Sequence, residues 1–290
     1  MFLYTSKTID IDRFGAIIIK TEGKMTRKPI VADQFYSADP HRLKKTIEGF
    51  REKETSKIDA KGVILPHAGY IYSGKVATIT VEKIKPKNKV IVLGPNHTGL
   101  GKPFSMFAKG EWETPFGTIR VEEELAQQIL SNSNIIEEDY AAHLHEHSIE
   151  VELPILYHFF GEFKLVPIVC ATADLETYRK VAYDISKAVN NKSDILIVAS
   201  SDMTHYEEDS QARKKDSIAI ESIMKLDEEN LLKQARKNNI SMCGIAPVCI
   251  LIACCKLLKA HKATVTLYQT SADTSGDYSS VVGYLGAVIY

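Results

Sequence analysis

The sequence predicts a mixed α/β fold with a central, largely parallel sheet flanked by helices. Short apolar runs at residues 62–65, 89–93 and 194–200 are each bounded by polar or glycine-containing loops. Such continuous apolar runs are typical of buried parallel strands, and here they alternate with segments of helical spacing. Alternating strands and helices indicate a sheet whose loops converge at the carboxyl ends of the strands.

The remaining elements follow from local signals. Residues 1–30 predict a strand or arm ahead of the core. Asp39 can cap the N-terminus of a helix, and Pro40 suits its first position. A helix is therefore expected to begin there and to run to about Lys53. Further helices are expected at 73–84, 174–189, 209–225 and 228–238. Another helix should begin at about residue 122, and two more should end at about residues 160 and 258. Further strands are expected at 163–170, 264–269 and 281–289, with polar connections at 201–206 and 271–277.

Composition limits the kind of protein. The 290 residues carry 36 basic and 37 acidic side chains, a formal net charge of -1, which argues against direct nucleic-acid binding and against a membrane-surface role. Five irregularly spaced cysteines do not form a disulfide framework and fit reduced thiols. Without a signal peptide, an apolar span, a repeat or a linker, we expect one cytoplasmic domain over residues 1–290.

Three histidines follow apolar strands directly, each in a polar loop: His67, His97 and His205. Loops at one sheet edge would gather them in one crevice. A pair of imidazoles and one anionic ligand hold iron or a similar ion and leave positions open for substrate. Cys243 could supply the anionic ligand, because it lies at a helix entry where the thiolate is favoured. The other four cysteines are expected to be small buried hydrophobes.

A histidine-rich segment precedes the helix that ends near residue 160. On a strand, His143, His145 and His147 would share one face and suggest a second metal site. Because a helix follows closely, we place only His147 near the pocket and expect His143 and His145 to be solvated. Glu146 and Glu150 either orient ring N–H groups or favour the first turn of that helix.

Tyrosines flank the histidines at positions 70, 72 and 206. They could line an aromatic substrate cleft. Since aromatic residues beside a sheet edge often fill the core, we favour the core interpretation.

Five separated motifs together resemble the Memo family, in order and over essentially the whole chain. They are Leu65-Pro66-His67-Ala68-Gly69-Tyr70, Leu93-Gly94-Pro95-Asn96-His97, Glu146-His147-Ser148-Ile149-Glu150, Ser200-Ser201-Asp202-Met203-Thr204-His205-Tyr206 and Cys243-Gly244. The family is similar in fold to the class III extradiol ring-cleaving dioxygenases, which use non-haem iron. The resemblance implies a dioxygenase-like pocket.

The resemblance also implies roles for individual residues. His67 and His97 correspond to the two metal-binding histidines, and Cys243 stands where the dioxygenases have a glutamate ligand. His205 corresponds to the acid–base histidine facing the metal, with Asp202 beside it. Three further residues are placed around the pocket: His147, Glu146 and Tyr70.

Thiolate ligation favours softer metals, so copper and zinc join iron as candidates, without an organic cofactor. Ring cleavage does not follow from a shared fold. One hypothesis is a metal-dependent oxidoreductase, and the alternative is a non-catalytic protein that binds a peptide or small ligand in a vestigial pocket. A third is a hydrolase with Cys243 as nucleophile and His205 as base. Microbial members of the family further imply a pathway shared with radical-SAM and AMMECR1-like proteins.

Overall fold

A computed structural model describes residues 7–11, 17–21, 24–52, 56–190 and 192–290. Its strands are β1 (Lys7–Ile11), β2 (Ile17–Thr21), β3 (Lys24–Arg27), β4 (Gly62–Leu65), β5 (Lys89–Pro95), β6 (Phe104–Met106), β7 (Glu111–Thr114), β8 (Gly117–Arg120), β9 (Glu137–Glu138), β10 (Lys164–Cys170), β11 (Ile195–Ser200), β12 (Asp202–Glu207), β13 (Ala263–Thr270) and β14 (Val281–Ile289). Its helices are α1 (Pro40–Phe50), α2 (Tyr70–Glu82), α3 (Glu123–Asn132), α4 (Ala141–Leu144), α5 (Leu153–Phe160), α6 (Leu175–Val189), α7 (Asp209–Met224), α8 (Glu228–Lys237), α9 (Ile245–Leu257) and α10 (Ala272–Ser275), with a 3-10 helix at Glu150–Glu152.

The main sheet has the strand order β12-β14-β4-β11-β5-β10-β6-β9, and β13 pairs with β14 beside this path. The four central strands β4, β11, β5 and β10 run parallel, whereas β14 is antiparallel to β4 and β6 is antiparallel to β10. The predicted mixed, largely parallel sheet is therefore confirmed.

Helices pack on both faces of this sheet, so its four central strands are buried over nearly their whole length. A side chain at Gly62 would clash with Leu251 of α9, and one at Gly286 would clash with Thr80 of α2. Ala287 pairs with Ile64, so positions 62 and 286 point to opposite faces. Glycine at these two positions lets α9 and α2 approach the sheet closely.

A second sheet, in the order β1-β2-β3-β7-β8, was only partly predicted. The predicted N-terminal strand or arm corresponds to β1, β2 and β3, although parts of residues 1–30 lie outside the described ranges. The hairpin of β7 and β8 and the two short strands β6 and β9 were missed. They are only two to four residues long, too short to show a clear alternation.

Other boundaries differ in detail. Asp39 caps α1 by accepting from the Arg42 N–H at 2.8 Å, as predicted, but the helix ends at Phe50, and Lys53 lies outside the described residues. Helix α2 begins at Tyr70 rather than at residue 73, and the turn at 271–277 contains the short helix α10.

The prediction of a polar loop at 201–206 is wrong, because most of this segment is strand β12. The strand pairs with β14, and the pairing contains two register shifts. Two of its backbone N–H groups have side-chain partners: the Thr204 N–H donates to Asp216 at 3.0 Å and the His205 N–H donates to Ser241 at 2.8 Å. A strand satisfied in this way does not need an apolar sequence, so hydrophobic periodicity could not reveal it.

All five cysteines are free thiols, and four of them are buried as expected. In the part of the chain that the structure describes, no helix is long and apolar enough to cross a membrane.

Candidate metal centre

The three strand-end histidines lie at one edge of the main sheet. His67 follows β4 and His97 follows β5, and both strands flank β11, after which comes β12 with His205. Because β4, β11 and β5 are parallel, their carboxyl ends and the loops that leave them converge.

His67, His97 and Cys243 form the centre of this edge. Their potential ligand atoms all lie within 4.8 Å of one another, and the Cys243 Sγ is 3.4 Å from the His67 Nε2. The two imidazole rings are nearly perpendicular, with centroids 5.3 Å apart. Two nitrogens and one sulfur therefore face a common point.

Cys243 is held by the backbone of the neighbouring strand. The Asp202 N–H donates to the Cys243 Sγ at 3.2 Å. Burial raises the pKa of the Cys243 thiol, and the negative charge of Asp202 adds to this effect. The expectation that the helix entry favours the thiolate is therefore wrong for the metal-free protein, in which burial dominates.

Gly244 lets the start of α9 approach β11 closely enough to place this thiol. A Cβ at position 244 would lie 2.5 Å from the Ser200 carbonyl oxygen and 2.4 Å from the Ser201 Cβ. Backbone on one side and a short, buried side chain on the other leave no room for an added methyl group. The Cys243-Gly244 pair is therefore a structural unit.

We expect Gly244→Ala to lower the free energy of unfolding by about 1–3 kcal/mol, the usual cost of overpacking. The measurement is urea denaturation. Gly49→Ala is the matched control, because in the described part of the chain nothing lies within 4 Å of a Cβ added there, and alanine favours a helix interior by about 0.5–1 kcal/mol. Equal effects of the two substitutions would contradict the close approach.

Glu146 fixes the orientation of His97. Its carboxylate accepts from the His97 N–H at 2.6 Å, from the His97 Nδ1–H at 2.9 Å and from the Ser148 N–H at 3.0 Å. Burial opposes charge on both residues, but their hydrogen bond and mutual attraction outweigh it, raising the pKa of His97 and lowering that of Glu146 to about 2. With its proton on Nδ1, neutral His97 has its Nε2 lone pair free to bind a metal.

Asp202 anchors the loop that carries His67. Its Oδ1 accepts from the His67 N–H at 2.9 Å, and burial raises the pKa of its carboxyl to about 7 despite that hydrogen bond. Asp202 therefore contacts the backbone of His67 through its side chain and the Sγ of Cys243 through its own backbone, in addition to lying three positions before His205.

His147 faces the same space as the two other imidazoles. It stacks on His97 at a centroid distance of 4.9 Å, and the ring centroids of His67 and Phe35 lie 5.5 Å and 5.0 Å from its own. Burial lowers the pKa of His147. A second group of potential ligands, formed by His97, Glu146 and His147, also lies within 4.8 Å, although Glu146 already accepts several hydrogen bonds.

Of the other two histidines of this segment, His143 differs from expectation. His143 is fully buried, with its Nε2 3.0 Å from the Ser105 carbonyl oxygen and its ring against Phe107 and Trp112. Burial lowers its pKa to about 3, so it is a neutral core residue and the prediction of a solvated side chain is wrong. His145 is partly buried. Helix α4 turns the segment, so the three histidines do not share one face.

His205 lies on β12 with its Nδ1 3.0 Å from the Ser241 carbonyl oxygen, so Nδ1 donates and Nε2 remains a proton acceptor. Burial lowers its pKa. Within the described ranges, the hydrogen-bond partners of Cys243 are His67 and Asp202, and none is His205. This arrangement does not favour the cysteine–histidine hydrolase hypothesis.

The tyrosines divide into two groups. Tyr70 is a core residue whose hydroxyl donates to the Val151 carbonyl at 2.8 Å. Tyr72 and Tyr206 are 38% and 79% exposed, so the core interpretation is wrong for both. Tyr206 has a φ of 59°, an uncommon value for a bulky residue, which the irregular pairing of β12 imposes.

Sequence reasoning missed several buried polar residues around the centre. Ser200 contacts His67, and Glu152 contacts Ser200. Arg27 is buried and forms an ion pair with Glu150. Their local sequence carries no signal, because a serine at a strand end, a glutamate at a helix start and an arginine in a basic stretch are all ordinary at a surface.

The fold and the cluster together define a mixed α/β protein with a histidine and cysteine centre at the carboxyl edge of its parallel strands. A family model described as Memo-like protein matches residues 27–288. A MEMO1 family protein of Aquifex aeolicus is 44% identical over 266 residues, covering 90% of this chain and 98% of that protein. MEMO1 family proteins of Methanopyrus kandleri and Saccharolobus solfataricus are 40% and 43% identical over 281 residues, covering 91% of this chain and 99% of each relative. The chain belongs to the Memo family, as its motifs predicted.

Among solved structures, an uncharacterized protein of Escherichia coli K12 is similar with a TM-score of 0.49 and 11% sequence identity. The match covers 78% of this chain and 98% of that one. We draw nothing about the site from a likeness of this size.

Proposed function

We propose that the chain binds one redox-active transition metal, iron or copper, through His67, His97 and Cys243 and acts as a metal-dependent oxidoreductase. The observation that carries the proposal is the convergence of one sulfur and two imidazole nitrogens, with 3.4 Å between the Cys243 Sγ and the His67 Nε2. Ligand bonds of about 2.3 Å to sulfur and about 2.0 Å to nitrogen at a tetrahedral angle separate the two atoms by roughly 3.5 Å. The observed spacing of the sulfur and the nitrogen therefore matches that of two ligands of one metal ion.

The buried charges support a cation at this place. Glu146 and Asp202 are 1% and 5% exposed and accept hydrogen bonds from His97 and from the His67 backbone, whereas the buried cation Arg27 pairs with Glu150. A bound dication would offset part of this acidic excess. It would also favour loss of the Cys243 proton, because the thiolate is the form that binds metal.

The protein's own groups would supply orientation and proton transfer. The hydrogen bonds of His67 and His97 through Nδ1 leave both Nε2 atoms to the metal. The Nε2 of His205 is free to accept a proton from a substrate held at the edge of the sheet. The metal, when bound, supplies Lewis acidity and one-electron redox chemistry.

The alternative function is binding of a peptide or small ligand without catalysis. It is favoured by exposed hydrophobic side chains close to His67 and His205 in the chain: Ile71 at 67%, Tyr72 at 38% and Tyr206 at 79% exposure. Exposed apolar groups of this size often mark interaction sites. A role beside radical-SAM and AMMECR1-like proteins remains a prediction from the family.

Metal content tests the proposal. We expect anaerobically purified protein, loaded with Fe(II) or Cu(I) and desalted, to retain about one metal ion per chain by mass spectrometry of the elements. His67→Ala and Cys243→Ala should each lose most of it, because two ligands hold an ion far less tightly than three. Cys249→Ala is the matched control, since Cys249 is a buried thiol of α9 bonded to the Glu228 carbonyl.

Two results would contradict the proposed function. One is a wild-type protein that retains no stoichiometric iron or copper, and the other is a Cys243→Ala variant that retains as much metal as Cys249→Ala. A peptide or aromatic ligand that binds the metal-free protein and both variants equally well would support the alternative function.

A further inference from the structure

The hydroxyl of Ser200 lies at the centre of a buried polar cluster beneath the candidate metal centre. Its Oγ is 2.7 Å from the His67 Nδ1, 2.7 Å from the Ser148 carbonyl oxygen and 2.8 Å from the Glu152 Oε1. His67 is 2% exposed, and the other three residues are fully buried. The cluster must therefore satisfy its hydrogen bonds internally.

Counting hydrogens determines which atoms donate. A serine hydroxyl has one hydrogen to donate and can accept two, while the Ser148 carbonyl can only accept. If Ser200 donates to Ser148, its other two neighbours must donate to it, which requires a proton on the His67 Nδ1 and a neutral carboxylic acid at Glu152. All three contacts are then hydrogen bonds.

The other arrangements are worse. If Ser200 donates to an ionised Glu152, the Ser148 carbonyl oxygen lies 2.7 Å from a lone pair of the hydroxyl and receives no hydrogen from it. In this arrangement, too, the His67 Nδ1–H donates to Ser200. If Ser200 donates to the His67 Nδ1, the same carbonyl again loses its hydrogen. A buried acceptor left in this way costs about 1–3 kcal/mol. The arrangement that satisfies every contact has the His67 proton on Nδ1.

The surroundings of Glu152 agree with a neutral acid. Within the described ranges no basic side chain contacts its carboxyl, and its Oε2 has no hydrogen-bond partner. Burial raises the pKa of Glu152 well above its ordinary value even with the Ser200 hydroxyl beside it. An ionised carboxylate without a partner would be costly at this depth.

We propose that Ser200 and Glu152 are positioning residues that hold His67 in the Nδ1–H form and keep its Nε2 lone pair directed toward Cys243 and His97. Glu152 acts as a neutral hydrogen-bond donor to Ser200. The consequence for metal affinity rests on the proposed function, whereas the tautomer of His67 is a property of the metal-free protein.

The tautomer is measured directly by two-bond proton–nitrogen correlation spectra of metal-free protein labelled with ¹⁵N-histidine. His67 is assigned by the signal that disappears in His67→Gln. We expect the Nδ1–H form in the wild type and a shift toward the Nε2–H form in Ser200→Ala. Ser186→Ala is the control, because Ser186 is a buried serine whose hydroxyl bonds only the Tyr183 carbonyl of its own helix.

Glu152→Gln separates a neutral donor from an ionised acceptor. An amide N–H can donate to Ser200 as the carboxylic acid does, so we expect this variant to keep the His67 tautomer and its thermal stability. Glu152→Leu removes the donor and should give a mixture of tautomers. A wild-type His67 in the Nε2–H form, or a tautomer unchanged in Ser200→Ala, would overturn the proposal, as would a Glu152→Gln protein that shifts His67 as far as Glu152→Leu does.

Metal affinity provides the second measurement, by competition of Fe(II) between the protein and a chelator. Loss of a group that orients a metal-binding histidine typically weakens affinity about 10–100-fold, which we expect for Ser200→Ala but not for Glu152→Gln. If the wild type binds no metal, the proposed function fails, while the nitrogen spectra still decide the role of Ser200 and Glu152.

Discussion

Arg27→Ala should lower the free energy of unfolding by about 3–5 kcal/mol, because it leaves a buried carboxylate without its partner. Arg27 and Glu150 are 3% and 1% exposed and form a direct ion pair. Removing the guanidinium also removes its contact with Trp112, whose ring centre is 4.4 Å from the Arg27 Cζ.

The expected loss of stability is large because Arg27 and Glu150 both form hydrogen bonds to segments that are distant in the sequence. Arg27 donates to the Glu146 carbonyl at 2.7 Å and to the His143 carbonyl at 3.2 Å. Glu150 accepts from the Val31 N–H at 3.0 Å and from the Tyr36 hydroxyl at 2.7 Å. The pair therefore holds the segment of Glu146 and His147 against the chain that follows β3, and its loss would loosen one side of the candidate metal centre.

Thermal and urea denaturation of Arg27→Ala, Glu150→Gln and the double variant measure this coupling. Lys225→Ala is the control, since Lys225 and Glu221 pair at 2.7 Å with both side chains about two-thirds exposed, and exposed pairs contribute at most about 1 kcal/mol. Equal losses in Arg27→Ala and Lys225→Ala would contradict a structural role for the buried pair, and so would single variants whose effects simply add.

The sequence predicts the parts of the site that lie next to strong local patterns. His67 and His97 are found because each follows an apolar strand, and the convergence of parallel strand ends then places them together without any knowledge of contacts. Cys243 differs from the other cysteines only by its neighbouring polar stretch and glycine, and its place beside His67 follows from the family resemblance rather than from a local pattern.

The residues that support these ligands are not predictable in the same way. Ser200 and Glu152 are 48 positions apart, and Arg27 and Glu150 are 123 apart, so each pair depends on tertiary packing that has no local signature. Strand β12 was missed for a related reason: two of its backbone N–H groups are bonded by the side chains of Asp216 and Ser241, which are distant in the sequence. Hydrophobic periodicity reveals segments that bury apolar side chains, and it does not reveal segments whose polar groups are buried with hydrogen-bond partners.

Glu146→Gln is expected to weaken metal binding about 10–100-fold and to lower the free energy of unfolding by about 1–3 kcal/mol. The Oε1 of Glu146 accepts from the His97 Nδ1–H and the Ser148 N–H, and its Oε2 accepts from the His97 N–H. A glutamine has one oxygen, so its NH₂ group must face at least one of these donors. His97 then loses either its backbone anchor or the partner that keeps its proton on Nδ1.

The pH dependence distinguishes this charge effect from simple loss of packing. The pKa of Glu146 is lowered from 4.5 to about 2 in the folded protein, mainly through its contacts with His97, which overcome burial. A lowered folded pKa means that ionised Glu146 stabilises the fold above pH 4.5 and that this contribution is lost as the pH falls toward about 2. Because this attraction also needs a charged His97, whose pKa is raised from 6.5 by Glu146, the gap in unfolding free energy between wild type and Glu146→Gln should be full between about pH 4.5 and 6.5 and shrink toward pH 2. Urea denaturation at pH values across this range measures it.

Glu228→Gln is the matched control, because Glu228 is equally buried but pairs with Lys256 at 2.7 Å and Arg179 at 2.9 Å, away from the histidines. It should lose stability and keep the wild-type affinity for Fe(II). If Glu146→Gln also kept that affinity, the carboxylate would be only a structural partner of the loop that carries His97. A gap in unfolding free energy that stayed constant from neutral to acid pH would show that the charge of Glu146 does not stabilise the fold.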